Sequence, residues 1–427
     1  LDDNQALENL RPAEASHESD HTKHIDRAYK GTRKTLLDEL GVWAHSLDPK
    51  EIPVYVLMGE AGTGKSAIAK EMAHRLKGDE VLGCSFFFKG GEDSLSRSRV
   101  FFKTIAHNLA LSHEEIYPHV VSSAHAHHHL RLGQNTEMQY QVADLLDEPL
   151  AKVPAGHKPV VIIVDAPDEC AEDPSVIREM LKLLTDIPAK AKFPLRILIT
   201  TRPEKHIYDL FHSNKMNGRV HVKDLHTIPK SNVIADIASY LSARIEKSDL
   251  PDDFLQSYPD AVQRLARRAD GFFIYAKVAI DFISLYPTLT DQHLKLLYSD
   301  DRASQTSAGP AYAPLDELYG EVLQKAFSDK TPLSVKKSVQ EVLGAIAILK
   351  DSLSAKVMTD LLKLDIKNVC LVVDNLRSVI LQGEDGSQDD RRAYGKILPI
   401  HSTFIQYLTD HTRCKSDMFY IDPAEHH

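Results

Sequence analysis

The chain has 427 residues, which is long enough for about three domains with a sizeable hydrophobic core. Hydrophobic residues make up 43% of it and charged residues 26%, and these globular proportions exclude a disordered or fibrous protein. The net charge of -10 argues against broad binding to nucleic acid or to an anionic membrane, because both favour an excess of lysine and arginine.

The cysteines and the most apolar stretch bear on the cellular compartment. No two cysteines have the C-x-x-C spacing of a metal or redox site, so a reducing cytoplasm suits them best; they are Cys84, Cys170, Cys370 and Cys414. The run GFFIYAKVAIDFISLY from Gly271 is interrupted by Lys277 and Asp281 and is shorter than the ~20 residues that span a bilayer, so we expect no transmembrane helix. The chain begins with Leu1 and shows no signal peptide, and we expect it to be a fragment of a longer cytoplasmic protein.

The first half of the chain alternates helical and strand-like patterns. Residues 20–48 have helical spacing and lead into the β-type run IPVYVLM at 52–58. A glycine-rich turn, the helix SAIAKEMAHRL, the run VLGCSFFF, a helix around FFKTIAHNLA and further helices between 114 and 152 follow. The strands VVIIVD at 160–165 and LRILIT at 195–200 flank a helix around VIREMLKLL. This alternation predicts an α/β domain over residues 49–228, a parallel sheet flanked by helices, after a lead segment 1–48.

The second half reads differently. Residues 229–298 have helical patterns, and the small, polar residues 299–313 have the composition of a linker. Residues 314–427 begin with helices and end with two β-prone runs around the loop GEDGSQDDRR. Helices followed by a hairpin with a charged tip predict a winged-helix domain after the helical domain.

The motif GEAGTGKS directly after the first strand predicts a phosphate-binding loop. Its glycines let backbone N–H groups turn inward around phosphates, Lys65 reaches the β- and γ-phosphates, and the Ser66 hydroxyl takes a position on Mg²⁺. The alternative is a glycine-rich turn without a ligand, against which the strand–motif–helix context speaks. The expected nucleotide-binding residues are Gly59, Glu60, Ala61, Gly62, Thr63, Gly64, Lys65, Ser66 and Ala67.

Acidic residues follow the strand VVIIVD. Asp165 at its end suits a Mg²⁺ site, and Asp168 and Glu169 stand close enough for one of them to deprotonate an attacking water. We expect Asp168 to be the base, with Glu169 close behind. The alternative is a solvated loop, or a pair of acids that favours a helix N-terminus.

Arg202 and a group of histidines each allow two interpretations, one functional and one structural. Arg202 at the end of LRILITTR can stabilise the γ-phosphate, or it can pair with Glu204 on the surface. The histidines in SSAHAHHHLRL suggest a metal, but neighbours in a helix face apart and no cysteine or acid motif accompanies them. We therefore expect surface histidines; they are His125, His127, His128 and His129.

Five segments in this order and spacing, GEAGTGKSAIA, LGCSFFFKGG, VVIIVDAPDEC, LRILITTRPE and DGFFIYA, resemble the NACHT-domain NTPases of fungal NOD-like receptors. These are STAND-class signalling ATPases. The resemblance extends from KGTRKTLLDELGVWA to IHSTFIQYLTDHTRC. It implies nucleotide-binding, helical and winged-helix domains that close over ADP, with ATP exchange opening the protein for self-association. It also implies an effector domain before this region and repeats after it, and a role in fungal innate immunity or regulated cell death.

The resemblance assigns roles to individual residues. Asp165 is then the Mg²⁺ ligand, Asp168 and Glu169 the hydrolytic acids, and Arg202 the phosphate sensor. Thr32 and Arg33 match a stretch near the adenine. His401 in IHSTF matches a histidine that contacts the ADP β-phosphate, although a histidine beside core positions is by itself a packing residue.

Two positions depart from the family pattern. Pro167 stands where many members have leucine and could slow hydrolysis, and Phe273 stands where related proteins carry a proline that packs on the nucleotide. The leading hypothesis is an ATP-hydrolysing switch that ADP locks. A scaffold that binds nucleotide without hydrolysing it and a metabolic P-loop kinase are the rivals.

Overall fold

The computed structural model describes residues 3–90, 95–127, 137–285, 287–298, 312–328, 331–349, 351–382 and 394–424. Contacts divide the chain into one unit of Leu1–Glu60 and Gly64–Ile228 and a second unit of Ala61–Thr63 and Pro229–His427. Most of the predicted linker 299–313, the tip of the predicted hairpin, His128 and His129 lie outside the described residues. In the described ranges, no helix is long and apolar enough to cross a membrane.

Five parallel strands form the sheet of the first unit, in the order β2-β3-β4-β1-β5. The strands are β1 (Val54–Met58), β2 (Leu82–Phe87), β3 (Val160–Asp165), β4 (Leu195–Thr201) and β5 (Val220–Asp224). The order places β4 between β1, which precedes the glycine-rich loop, and β3, which precedes the acids. The predicted α/β fold is confirmed.

Both faces of this sheet are covered, as the continuous apolar strands predict. Val54 and Val56 of β1 pack into one hydrophobic cluster, and Tyr55 and Leu57 into the other. The helices of this unit are α1 (Asp3–Glu8), α2 (Lys34–His45), α3 (Lys65–Gly78), α4 (Ser98–Ser112), α5 (Tyr117–Ala126), α6 (Met138–Val142), α7 (Glu148–Lys152), α8 (Pro174–Asp186) and α9 (Lys205–Phe211).

Two elements differ from the sequence prediction. Strand β5 is absent from the prediction because its sequence VHVKD is polar at alternate positions and half-buried, unlike the apolar runs of the central strands. The helix expected over 20–48 begins only at Lys34, because Gly31 and Arg33 have positive φ values of 96° and 53° that a helix does not admit.

The N-terminal segment, residues 13–32, runs from strand β2 to helix α3. Ala15 O accepts a hydrogen bond from Phe87 N at 2.8 Å. The Lys70 ammonium then donates to the carbonyl oxygens of Thr22 and Ile25 at 2.6 and 2.9 Å. The segment is therefore part of the first unit rather than a free leader.

The second unit is mainly helical. It holds α10 (Lys230–Ile245), α11 (Phe254–Ser257), α12 (Ala261–Arg268), α13 (Phe273–Ser284), α14 (Thr290–Tyr298), α15 (Ala313–Ala326), α16 (Leu333–Ile348), α17 (Ala355–Leu362), α18 (Ile366–Asn375) and α19 (Ser402–Thr409). Strands β6 (Ile380–Gln382) and β7 (Ile397–Pro399) pair antiparallel, as the predicted hairpin requires. The division into a helical and a winged-helix domain stays a prediction.

Candidate nucleotide-binding site

The glycine-rich loop leaves strand β1 and enters helix α3. Gly59 N donates to Thr201 O at 3.2 Å, which attaches the start of the loop to the end of β4. Gly64 has a φ of 94° and occupies the N-cap of α3. Since glycine has no side chain to cap the helix, the N–H groups of the first turn face no competing cap and suit an anionic group.

The tip of the loop, Ala61–Thr63, belongs by its contacts to the second unit. Within that unit, Ile274 N donates to Gly62 O at 3.2 Å. Gly62 has a φ of 84°, and a Cβ there would lie 2.4 Å from Cγ2 of Ile274. Position 62 therefore requires glycine both for its backbone conformation and for the close packing.

Lys65 and Ser66 open helix α3. The Lys65 side chain is buried, and its Nζ donates to the carbonyl oxygen of Glu60 at 3.0 Å. Burial lowers the pKa of the Lys65 ammonium, and the negative charge of Asp168 opposes that shift. A buried ammonium that donates to a backbone carbonyl at this position is suited to the phosphate oxygens of a nucleotide.

Asp165 lies at the carboxyl end of β3 and is buried. The hydroxyls of Thr200 and Ser66 both donate to its carboxylate. Burial raises the pKa of Asp165 to about 6, against these two hydrogen bonds. The carboxylate of Asp165 and the hydroxyl of Ser66 thus stand together, and oxygen ligands of this kind fit Mg²⁺.

Asp168 lies in the short 3-10 turn Pro167–Glu169 and is bonded on both oxygens. Its Oδ1 accepts from the Thr201 hydroxyl at 3.0 Å and from Arg202 N at 3.1 Å. Its Oδ2 lies 3.2 Å from Arg202 Nε, and the side chain is 3% exposed. Pro167 is accommodated at the start of this turn, because proline's fixed φ suits a first helical position.

Glu169 is held differently from Asp168. Its Oε2 accepts from Gly90 N at 3.2 Å, and its Oε1 lies 3.7 Å from a terminal nitrogen of Arg202. Burial, and next the charge of Asp168, raises the pKa of Glu169 to about 7. The side chain is 31% exposed, so Glu169 combines a raised pKa with access from outside.

The structure brings most of the predicted site residues together. Arg202 pairs with the two acids that follow β3, and its side chain is 17% exposed. Three contributors were not assigned a role from the sequence: Thr200, Thr201 and Gly90. The signal for the threonines was their position at the end of β4, since a strand between β1 and β3 brings its end between the loop and the acids.

Thr32 and Arg33 are buried directly before helix α2. The Thr32 hydroxyl donates to Tyr29 O at 2.8 Å, and Ala28 N donates to Ala67 O at 3.1 Å. The latter bond fixes this stretch to the first turn of α3. The role of Thr32 and Arg33 near the adenine stays a prediction.

His401 belongs to the second unit, where it is the N-cap residue of α19. Its Nδ1 accepts from Thr403 N at 3.2 Å and lies 2.9 Å from the Thr403 hydroxyl, which in turn lies 2.8 Å from the Tyr319 hydroxyl. Because Nδ1 accepts, the neutral ring carries its proton on Nε2. The predicted contact with a nucleotide stays a prediction.

One known protein family matches the part of the chain that contains this site. Residues 31–202 match the family model described as nephrocystin 3, N-terminal. The chain contains a P-loop NTPase domain. The matched residues run from the stretch before α2 through the glycine-rich loop and the acids to Arg202. No curated protein matches the chain.

Solved structures similar to this chain include three proteins with low sequence identity. The Drosophila ORC bound to DNA has 11% identity and a TM-score of 0.37, with 86% of this chain and 91% of that chain covered. Cdc6p from Pyrobaculum aerophilum has 13% identity and a TM-score of 0.37, covering 89% and 94%. The ORC2 protein of Aeropyrum pernix, in ADPNP and ADP complexes, has 11% identity and a TM-score of 0.41, covering 90% and 94%.

Proposed function

We propose that the P-loop domain binds ATP with Mg²⁺ and hydrolyses it slowly, as a signalling switch that ADP holds closed and ATP opens for self-association. The observation that carries this proposal is the placement of Glu169 beside the P-loop site. Its carboxylate is oriented by Gly90 N, its pKa is raised to about 7, and it remains partly exposed. A base of that pKa is half-ionised near neutral pH, where proton transfer is most effective.

The side chains divide the work. Lys65 would exchange the carbonyl of Glu60 for phosphate oxygens, and Ser66 and Asp165 would hold Mg²⁺, which when bound neutralises phosphate charge. Glu169 would accept a proton from the water that attacks the γ-phosphorus as the bond to the ADP oxygen breaks. Arg202 would offset the charge that builds on the phosphate oxygens.

Glu169 is a better candidate for the base than Asp168. A general base must offer a lone pair to water, and the oxygens of Asp168 already meet three donors from Thr201 and Arg202. Glu169 accepts one backbone hydrogen bond, from Gly90, on one oxygen.

The finer parts of the proposal rest on the resemblance to NACHT-domain NTPases. They are the closed ADP state, the self-association on opening, the cytoplasmic location and a role in fungal innate immunity or regulated cell death. A switch of this kind requires a residue with different affinity for its two states. His401 is our candidate, because a neutral ring with its proton on Nε2 can donate to a phosphate oxygen.

The test begins with the nucleotide released from purified protein on denaturation. We expect ADP, and we expect Lys65→Ala to release none, because a P-loop without its ammonium loses the main charge partner of the phosphates. Single-turnover hydrolysis of ATP should then be slow but measurable. A protein that binds ATP and never hydrolyses it would be a scaffold, and turnover that requires an added acceptor would identify a kinase.

A further inference from the structure

The side chain of Asp168 holds Arg202 at two points. Its Oδ1 accepts from the backbone N–H of Arg202, and its Oδ2 faces the guanidinium at Nε. The Thr201 hydroxyl donates to the same Oδ1. One carboxylate therefore fixes the main chain and the side chain of one arginine.

Asp168 contacts the guanidinium of Arg202 at Nε. Nε is the nitrogen nearest the main chain, and a contact there does not use the two terminal nitrogens. One of those nitrogens lies 3.7 Å from Glu169 Oε1, within the range of an ion pair but too far for a hydrogen bond. The pair with Asp168 thus aims the terminal end of Arg202 toward the side where Glu169 lies.

Holding an arginine in one orientation is costly without such a support. The long side chain loses rotamer entropy when it is ordered. Here the buried carboxylate of Asp168, whose side chain is 3% exposed, already orders the Arg202 side chain in the folded domain. A guanidinium that is already ordered gains more when it pairs with a phosphate oxygen, because less freedom is lost at that step.

We propose that Asp168 is a positioning residue that acts through Arg202, orienting the terminal guanidinium nitrogens to distinguish ATP from ADP, and that it does not take up the proton of the attacking water. This inference rests on the proposed ATP site and deepens it. It separates two neighbouring acids by function, with Asp168 serving the arginine and Glu169 serving the water.

The experiment is a double-mutant cycle of Asp168→Asn and Arg202→Ala, with the affinities for ADP and for a non-hydrolysable ATP analogue as the readout. Asparagine has nearly the same shape but removes the charge that faces Nε. Each single variant should reduce the preference for the ATP analogue over ADP by about 10- to 100-fold, the value of one charge-assisted hydrogen bond. The double variant should be no worse than Arg202→Ala alone.

Hydrolysis provides the second arm of the cycle. If Asp168 were the base, Asp168→Asn in the Arg202→Ala background would slow single-turnover hydrolysis by a further 100-fold or more, about what a general base contributes. That result, or an additive loss of nucleotide preference, would overturn the inference. An Arg202→Ala variant with unchanged nucleotide preference would overturn it as well.

Further variants guard against misfolding and against failure of the proposed function. Thr201→Val should weaken the preference in the same direction, and Thr201→Ser, which restores the hydroxyl, should rescue it. Asp173→Asn is the matched control, because exposed Asp173 caps helix α8 five positions along and should leave the preference unchanged. If the wild type binds both nucleotides but does not hydrolyse ATP, the hydrolysis proposal fails while the affinity cycle still decides the role of Asp168.

Discussion

Glu169 shows how much of the chemistry depends on one side chain's surroundings. Two acids of the same charge follow β3, yet Thr201 and Arg202 occupy the oxygens of one while Gly90 supports the other. The pKa of Glu169 is raised to about 7 by burial and then by the charge of Asp168. The two neighbouring carboxyl groups therefore differ in their hydrogen-bond partners, and these surroundings determine what each group can do.

The pH dependence of hydrolysis follows from this raised pKa. Glu169 can accept a proton only when ionised, so the single-turnover rate should rise with pH through an inflection near 7 and fall away below it. Glu169→Gln should lower the rate by at least about 100-fold and abolish that inflection. Rapid-quench measurements of single-turnover hydrolysis from about pH 5.5 to about pH 8.5, in steps of about half a pH unit, would check this pH dependence. A wild-type rate that does not change across this range would contradict the role of Glu169.

The sequence predicts the loop, the acids and Arg202 as members of one site, because each directly follows a recognisable apolar strand. The sequence does not predict which of Asp168 and Glu169 contacts Arg202 and which can accept a proton from water. That difference depends on Thr201 and Gly90, which are distant along the chain and meet the acids only because β3 pairs with both β2 and β4. Neither residue type is distinctive by itself.

At the scale of elements, helix α2 is held at its carboxyl end by a residue of the sheet. Arg196 in β4 is buried, and its guanidinium donates to the carbonyl oxygens of Trp43 and Ser46 at 3.3 and 2.8 Å. These carbonyls belong to the last turn and C-cap of α2, where a cation is favourable. The same helix begins directly after Thr32 and Arg33.

Replacing Arg196 with methionine should destabilise the first unit. The two carbonyls would lose charged donors in a buried place, at a cost of about 1–3 kcal/mol, and the melting temperature should fall by about 2–4 °C per kcal/mol. Arg178→Met on the exposed face of α8 is the matched control and should change stability by less than about 0.5 kcal/mol. Thermal unfolding followed by circular dichroism measures both. Equal melting temperatures for the two variants would show that the cap contributes nothing.

The limits of predicting elements from sequence have a physical origin as well. The central strands β1, β3 and β4 are buried on both faces and are predominantly apolar in sequence, although β4 contains Arg196. Strand β5 pairs with β1 alone and is half-buried, so it carries polar residues such as His221 and Lys223. Alternation of apolar and polar residues is typical of a half-buried strand, but here it covers only five residues and lacks the apolar run that marks the central strands.

At the scale of the whole molecule, contacts within the second unit define the tautomer of the neutral His401 ring. The Thr403 N–H donates to Nδ1 of His401, so the neutral ring carries its proton on Nε2. The residue therefore has two separable roles, the N-cap of α19 and the predicted contact with ADP.

Substitutions at position 401 can separate these roles. His401→Ala should weaken ADP binding and favour oligomers, and it also removes the cap, which is worth about 1 kcal/mol. His401→Asp restores a good N-cap but places a negative charge where a phosphate is expected, so its stability should recover while ADP affinity stays low. Isothermal titration and size-exclusion chromatography with light scattering measure affinity and oligomeric state. Unchanged ADP affinity in both variants would leave His401 with the capping role alone.

The N-terminal segment changes where a stable fragment of this protein can begin. The family match starts at residue 31, but Ala15 lies against strand β2 and His17 N donates to the Ser85 hydroxyl at 3.0 Å. A fragment cut at residue 31 would uncover one side of β2, whose hydrophobic sequence and vacant amides favour edge-to-edge pairing with other copies. We therefore expect a fragment that begins at residue 31 to aggregate, because it lacks the segment that covers β2. A fragment that begins before α1 should stay in solution, and size-exclusion chromatography of the two fragments checks this.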